Sequence, residues 1–334
     1  MTLSALCLLP SLIAGQAPAP QEAVQKRLSE IFAAADVPGI SACVIMPDGT
    51  EILLAMGFAD EEGKVPMTPK HRFLSGSSGK MHFAALAMQM VTDGKISLDD
   101  TVKKYLGKEG WYEDFPGLRG TKLRHLMSHS SGVPEHIQSP TFIPALLMHP
   151  LKVWRPAELL SHNIGLKPHF APGKGWSYAD TNFILLTMVV EKASGKKAYD
   201  MIRETQLLPL GLKMTEASVK RRLEGLANGR YAARSPFGEG WSLADGQLKI
   251  NPQFEWAGGG FVTNPRDLAS FTRPADRQRA AHECSGSDED RRARPYRAGP
   301  PVRTGPDDQT YGARHKLRPL RVHARLRHRR PALP

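Results

Sequence analysis

Apolar residues recur along this chain at two spacings, and the change from one to the other marks out its elements. Over residues 23–35 they fall three and four apart. Val24, Leu28, Ile31 and Phe32 share one face, the mark of an amphipathic helix. Residues 39–46 are almost continuously apolar, Pro47-Asp48-Gly49 is a turn, and residues 51–58 are apolar again, which predicts an antiparallel hairpin. Residues 63–69 read as a loop. The helical spacing returns over residues 77–92 and stops at Asp93-Gly94. A turn and a short helix follow over residues 96–106, and another helix over 123–128, halted by Ser131-Gly132-Val133-Pro134. Ala171-Pro172-Gly173 opens a loop that ends at Tyr178. Asp180 or Thr181 is expected to cap a helix over residues 182–193, with Gly195 just past its end. Residues 258–262 form a tight turn or strand edge. Asn264, Pro265 and Asp267 then supply the cap, first position and first-turn charge of a helix reaching about residue 272.

Beyond residue 272 no apolar period is sustained. Arg and Pro recur instead, a composition that cannot bury a core. The pattern breaks inside a helix rather than at a linker, which fits a shifted reading frame in a GC-rich gene; a basic tail is the alternative. Residues 273–334 are therefore expected to be disordered. This segment carries 15 Arg and one Lys against seven acids, so nine of the twelve net positive charges lie there. The rest of the chain is nearly neutral, so no nucleic-acid partner is expected; one would rest on the tail alone.

At the other end, residues 3–14 are apolar and Ala14-Gly15-Gln16-Ala17 offers small residues for cleavage, so residues 1–17 read as a secretory signal. That implies a periplasmic or secreted protein. No later apolar run approaches the ~18 residues of a membrane span. Cys43 and Cys284 would remain after cleavage, with no disulfide framework and no metal-ligand spacing, so neither metal nor cofactor is expected.

The chemistry centres on Ser77-Ser78-Gly79-Lys80 at a helix start. Three residues is nearly one turn, so the Lys80 amine stands beside the Ser77 hydroxyl. A serine hydroxyl needs a base to become a nucleophile, and a lysine can serve if burial or neighbouring cations deprotonate it. The helix N-terminus also offers the Ser77 amide to a developing oxyanion. On its own this spacing is common, and a solvated helix start explains it as well. His125 and His129 suggest a Ser-His-Asp arrangement, but nothing in their spacing requires one.

Several segments together resemble the serine β-lactamase-related family, which includes class C β-lactamases, D,D-carboxypeptidases and esterases. They are residues 73–106 with Asp93-Gly94-Lys95-Ile96-Ser97-Leu98-Asp99-Asp100, residues 123–132, residues 172–182 and residues 256–271, in family order over roughly residues 25–272. The resemblance implies an α+β fold, an antiparallel sheet flanked by helices plus a helical lobe, filling residues 18–272. It implies Ser77 as nucleophile, Lys80 as its partner, and Tyr178 as the proton shuttle of a Tyr-x-Asn element that here reads Tyr178-Ala179-Asp180. Both histidines then become structural.

Asp180 departs from the commoner Asn of that element and would meet the substrate. A carboxylate cannot donate to a substrate carbonyl; it would hold Lys80 protonated and shift base duty to Tyr178. The family's Lys-Thr-Gly or His-x-Gly strand finds no credible match, since Arg303-Thr304-Gly305 lies among prolines. The last strands are therefore expected to be missing and the chain to be weakly stable and weakly active. The expected function is a serine hydrolase forming an acyl-enzyme on a β-lactam, D-amino-acid peptide or small ester. The alternative is a dead remnant or a ligand-binding pseudo-enzyme. Oligomeric state is not legible.

Overall fold

Two apolar faces that no single helix could cover set the architecture. The first belongs to the helix Asp180–Ser194, whose residues from Thr181 to Val190 are buried almost without interruption. A helix apolar on every side must be surrounded, and this one is, by the helix Lys80–Thr92, the short helices Val102–Leu106 and Leu123–Met127, and a 3-10 segment, Pro252–Gly258. The second face belongs to the strand Glu51–Asp60. There Ile52 and Leu54 alternate with exposed neighbours and pack with Leu28 of the helix Pro20–Ala34.

The structure is a computed structural model that describes residues 19–232 and 235–273. The readings of residues 1–17 and of residues 274–334 lie outside the described residues. In chain order the principal elements are α1 (Pro20–Ala34), β1 (Gly39–Ile45), β2 (Glu51–Asp60), β3 (Val65–Pro66), β4 (Phe73–Leu74), α2 (Lys80–Thr92), α3 (Asp180–Ser194), β5 (Glu216–Ala217), β6 (Phe261–Thr263) and α4 (Pro265–Thr272). β1, β2 and β3 form one antiparallel sheet, with Gly39 opposite Gly57 and Ile45 opposite Glu51. β4, β6 and β5 form a second, in which Val262 pairs with both Leu74 and Glu216. All strand pairs among the described residues are antiparallel and the described helices gather around α3, so the α+β class holds. No described helix is long and apolar enough to cross a membrane.

Three local expectations are corrected. Residues 65–66, read as loop, add a third strand to the hairpin, with a register shift between Phe58 and Asp60. Ser77 does not begin an α-helix; it sits in a turn of 3-10 helix, Gly76–Gly79, that leads into α2. Neither Asp180 nor Thr181 caps α3. Ala179 holds the cap position in extended conformation without a side-chain bond, which leaves Asp180 inside the first turn with its carboxylate free for other work. Asn264 does cap α4, its side chain accepting from the Asp267 amide, with Pro265 next.

The main core joins α2 to α3 through Phe83, Leu86, Ala87 and Met90, and reaches β6 through Phe261. The rings of Phe83, Tyr199 and Phe261 pack in a triangle, with Phe83 5.6 Å from Tyr199 and 5.5 Å from Phe261, and 5.4 Å between the latter two. We expect Phe83→Ala to cost about 3–5 kcal/mol, read as a lower urea midpoint with unchanged slope; a shift smaller than about 1 kcal/mol would show that this core repacks freely.

Candidate active site

The 3-10 turn decides the first contact. In such a turn side chains at i and i+3 eclipse, so Lys80 stands directly over Ser77, and its Nζ donates to Ser77 Oγ at 3.1 Å. Lys80 is nearly buried. Its Nζ donates to Ser77 Oγ and to the carbonyl oxygen of Gly258, and forms an ion pair with the carboxylate of Asp180, 2.5 Å away. The carboxylate that α3 leaves unused as a cap is thus the counter-ion of Lys80.

The Gly258 carbonyl reaches Lys80 because two glycines let the backbones touch. A Cβ on Gly79 would lie 2.0 Å from the carbonyl oxygen of Gly259, and one on Gly259 would lie 2.6 Å from that of Gly76. Any larger residue forces the Gly258-Gly259-Gly260 turn away from the start of α2. The turn itself is tightly wound. Trp256 sits at φ 38°, and Glu255 accepts from the Gly260 amide at 3.2 Å. Burial pushes the Glu255 carboxyl up, opposed chiefly by that amide.

Tyr178 approaches from the segment that enters α3. It is partly exposed, and its Oη donates to Ser77 Oγ at 2.6 Å, while Lys80 Nζ lies 5.0 Å from its ring centroid. Ser77, Lys80, Tyr178 and Asp180, the four residues singled out from the sequence, are therefore brought together in one cluster.

Sequence reasoning missed the groups that hold this cluster. Glu135 caps a 3-10 turn, Ile137 donating to it at 3.0 Å, and also accepts from the amide of Asp180. Burial would raise its carboxyl, but His136, 3.0 Å away, and the two backbone donors outweigh burial and hold it below the usual range. Glu135 follows Ser131-Gly132-Val133-Pro134 directly, and that turn was legible; its target on α3 was not. His129, read as structural, stacks on the Tyr178 ring with centroids 4.5 Å apart and planes at 28°. His125 accepts from the Lys122 amide. Ser77 Oγ is bonded to Lys80 and Tyr178 rather than to either histidine. Among the described residues no group of three or more His, Cys, Asp or Glu could hold a metal ion.

A sequence profile of the family described as Beta-lactamase matches residues 24–322, extending past residue 272, the end of the segments recognisable in the sequence. Penicillin-binding protein 4* of Bacillus subtilis (strain 168) is 30% identical over 181 residues, covering 53% of this chain and 38% of that protein. A D-aminopeptidase of Brucella anthropi is 30% identical over 181 residues, covering 54% of this chain and 32% of that protein. The chain thus matches only about a third of the length of these relatives. Among solved structures, a D-stereospecific amidohydrolase from Streptomyces sp. superimposes with a TM-score of 0.63 at 26% identity, over 75% of this chain and 71% of that one.

Removing one member of a buried ion pair strands the other, at a cost of about 3–5 kcal/mol. We expect Asp180→Ala to lose stability on that scale in urea titrations, and the double replacement Asp180→Leu with Lys80→Met to recover most of it. Equal stability of Asp180→Ala and the parent would mean that solvent already screens Lys80.

Proposed function

The chain belongs to the beta-lactamase family, and from that premise we propose that it is a serine hydrolase acting through an acyl-enzyme, with Ser77 as nucleophile. The observation that carries this reading is the convergence of two donors, Tyr178 Oη at 2.6 Å and Lys80 Nζ at 3.1 Å, on the single oxygen Ser77 Oγ.

The proton inventory assigns the roles. Lys80 donates to Ser77 Oγ and Gly258 and is paired with Asp180, so it presents a proton rather than a lone pair to Ser77, and the base is Tyr178. The phenol, which here donates to Ser77 Oγ, first gives its own proton to the solvent that its exposed position admits; the phenolate oxygen then takes the Ser77 proton along the same 2.6 Å contact as Oγ attacks the substrate carbonyl. It then returns that proton to the departing amine or alkoxide as the carbonyl–leaving-group bond breaks. Water reverses the sequence to release the acid. Lys80 balances the charge that moves between the two oxygens, and Asp180 keeps Lys80 in place.

The substrate we favour is a D-amino-acid amide, a short D-amino-acid peptide or a small ester, in preference to a β-lactam. An anionic Asp180 already bound to Lys80 offers no donor to a lactam side-chain carbonyl. The names of the D-aminopeptidase and of the amidohydrolase support the same preference. The apolar, cleavable character of residues 1–17 supports action outside the cytoplasm.

A fluorescent phosphonate or penicillin applied to the purified protein should label it covalently, and Ser77→Ala should abolish the label. Tyr178→Phe should retain binding but slow acylation by about 10²–10⁴-fold. Labelling that survives Ser77→Ala would dispose of the assignment.

A further inference from the structure

His129 grips Tyr178 from three directions. Its carbonyl oxygen accepts from the amide of Ser177, just before the tyrosine, at 2.9 Å. Its Nδ1 accepts from the amide of Ala179, just after it, at 3.2 Å. Its ring lies against the phenol ring itself, stacked at 4.5 Å. To do this the residue adopts φ 55°, a left-handed conformation that non-glycine residues seldom take and that clusters at sites under functional constraint.

The surroundings also fix which ring nitrogen carries the proton. A backbone amide can only donate, so Nδ1 must present its lone pair to Ala179. Asn182 agrees. Its Oδ1 accepts from the Ser131 hydroxyl at 2.6 Å, which turns its Nδ2 towards His129 Nδ1 at 3.2 Å. The proton of the neutral ring is therefore on Nε2.

Resting on the assignment of Tyr178 as the base, we propose that His129 is its positioning residue: neutral imidazole clamps the phenol onto Ser77, and protonation of Nδ1 in acid releases the clamp and stops acylation. A proton on Nδ1 faces two donors, the Ala179 amide and the Asn182 amide group, and loses both bonds.

The charged groups around the ring are Lys80 on α2, Asp180 at the start of α3, and Glu135 on the segment before it. Burial, and after it the Lys80 ammonium, hold His129 below its ordinary value of 6.5 against the smaller opposing pull of Asp180 and Glu135. The sign is that of a base whose native value is depressed. The neutral clamp is complete above 6.5 and is lost as the pH falls through the depressed native value.

Asn and Gly separate the two functions of the side chain. His129→Asn accepts the left-handed backbone and keeps an oxygen for the Ala179 amide, but cannot be protonated. His129→Gly accepts the backbone and keeps nothing. We expect His129→Gly to acylate about 100-fold more slowly at every pH with little change in KM, the scale of a misplaced catalytic group. His129→Asn should recover part of that rate and lack the acid limb that the parent shows below pH 6.5.

A second readout needs no turnover. Imidazole 15N spectra should show His129 as the Nε2–H tautomer and titrating below 6.5. The opposite tautomer, or titration at or above that value, overturns the proposal. So do parent-like acylation rates with an unchanged acid limb in both variants while labelling remains dependent on Ser77. Labelling that does not depend on Ser77 overturns the assignment of the site, and this inference with it.

Discussion

The buried ammonium of Lys80 organises the described part of this molecule. Taking a charge out of water costs several kcal/mol even after relaxation, and is tolerated only when every proton finds a partner. Lys80 draws its three partners from segments far apart in sequence: the 3-10 turn before α2, the glycine turn before β6, and the first turn of α3. Satisfying that one group therefore fixes where three parts of the fold meet, and the nucleophile stands at the meeting point. Tyr178 precedes the ion-pairing Asp180 by two residues, so the placement that neutralises the lysine also delivers the phenol.

Glycine makes the meeting possible. The Gly258 carbonyl could not reach the ammonium if either Gly79 or Gly259 carried a side chain. The strain at Trp256 and the buried carboxyl of Glu255 belong to the same tight turn. Stability is given up locally to bring a carbonyl to a charge, a trade found where structure serves chemistry rather than packing.

Much of this was legible in the chain. The hairpin of β1 and β2, the apolar helix α3 and the cap at Asn264 followed from spacing and turn chemistry, because local rules govern them. Ser77, Lys80 and Tyr178 were found through a motif and a family resemblance. What the sequence hid was long-range. Nothing in Glu135 announces that its carboxylate holds the amide of Asp180, and nothing in His129 announces a ring stacked on a tyrosine. The cap of α3 was misjudged for the same reason. Asp180 has the residue type of a cap, but a buried cation elsewhere competes for its carboxylate and wins. The 3-10 turn was hidden because its two serines and two glycines suit several local conformations, and contact with the glycine turn selects one.

The ion pair between Lys80 and Asp180 has a further chemical meaning. An acyl group on Ser77 would be an ester 3.1 Å from a primary amine. Transfer from oxygen to nitrogen would convert that ester into an amide, a downhill and practically irreversible step that would leave the protein permanently blocked. Only the lone pair of a free amine can begin it. In this structure that nitrogen instead faces a carboxylate, that of Asp180, at 2.5 Å, where such a transfer would have to begin.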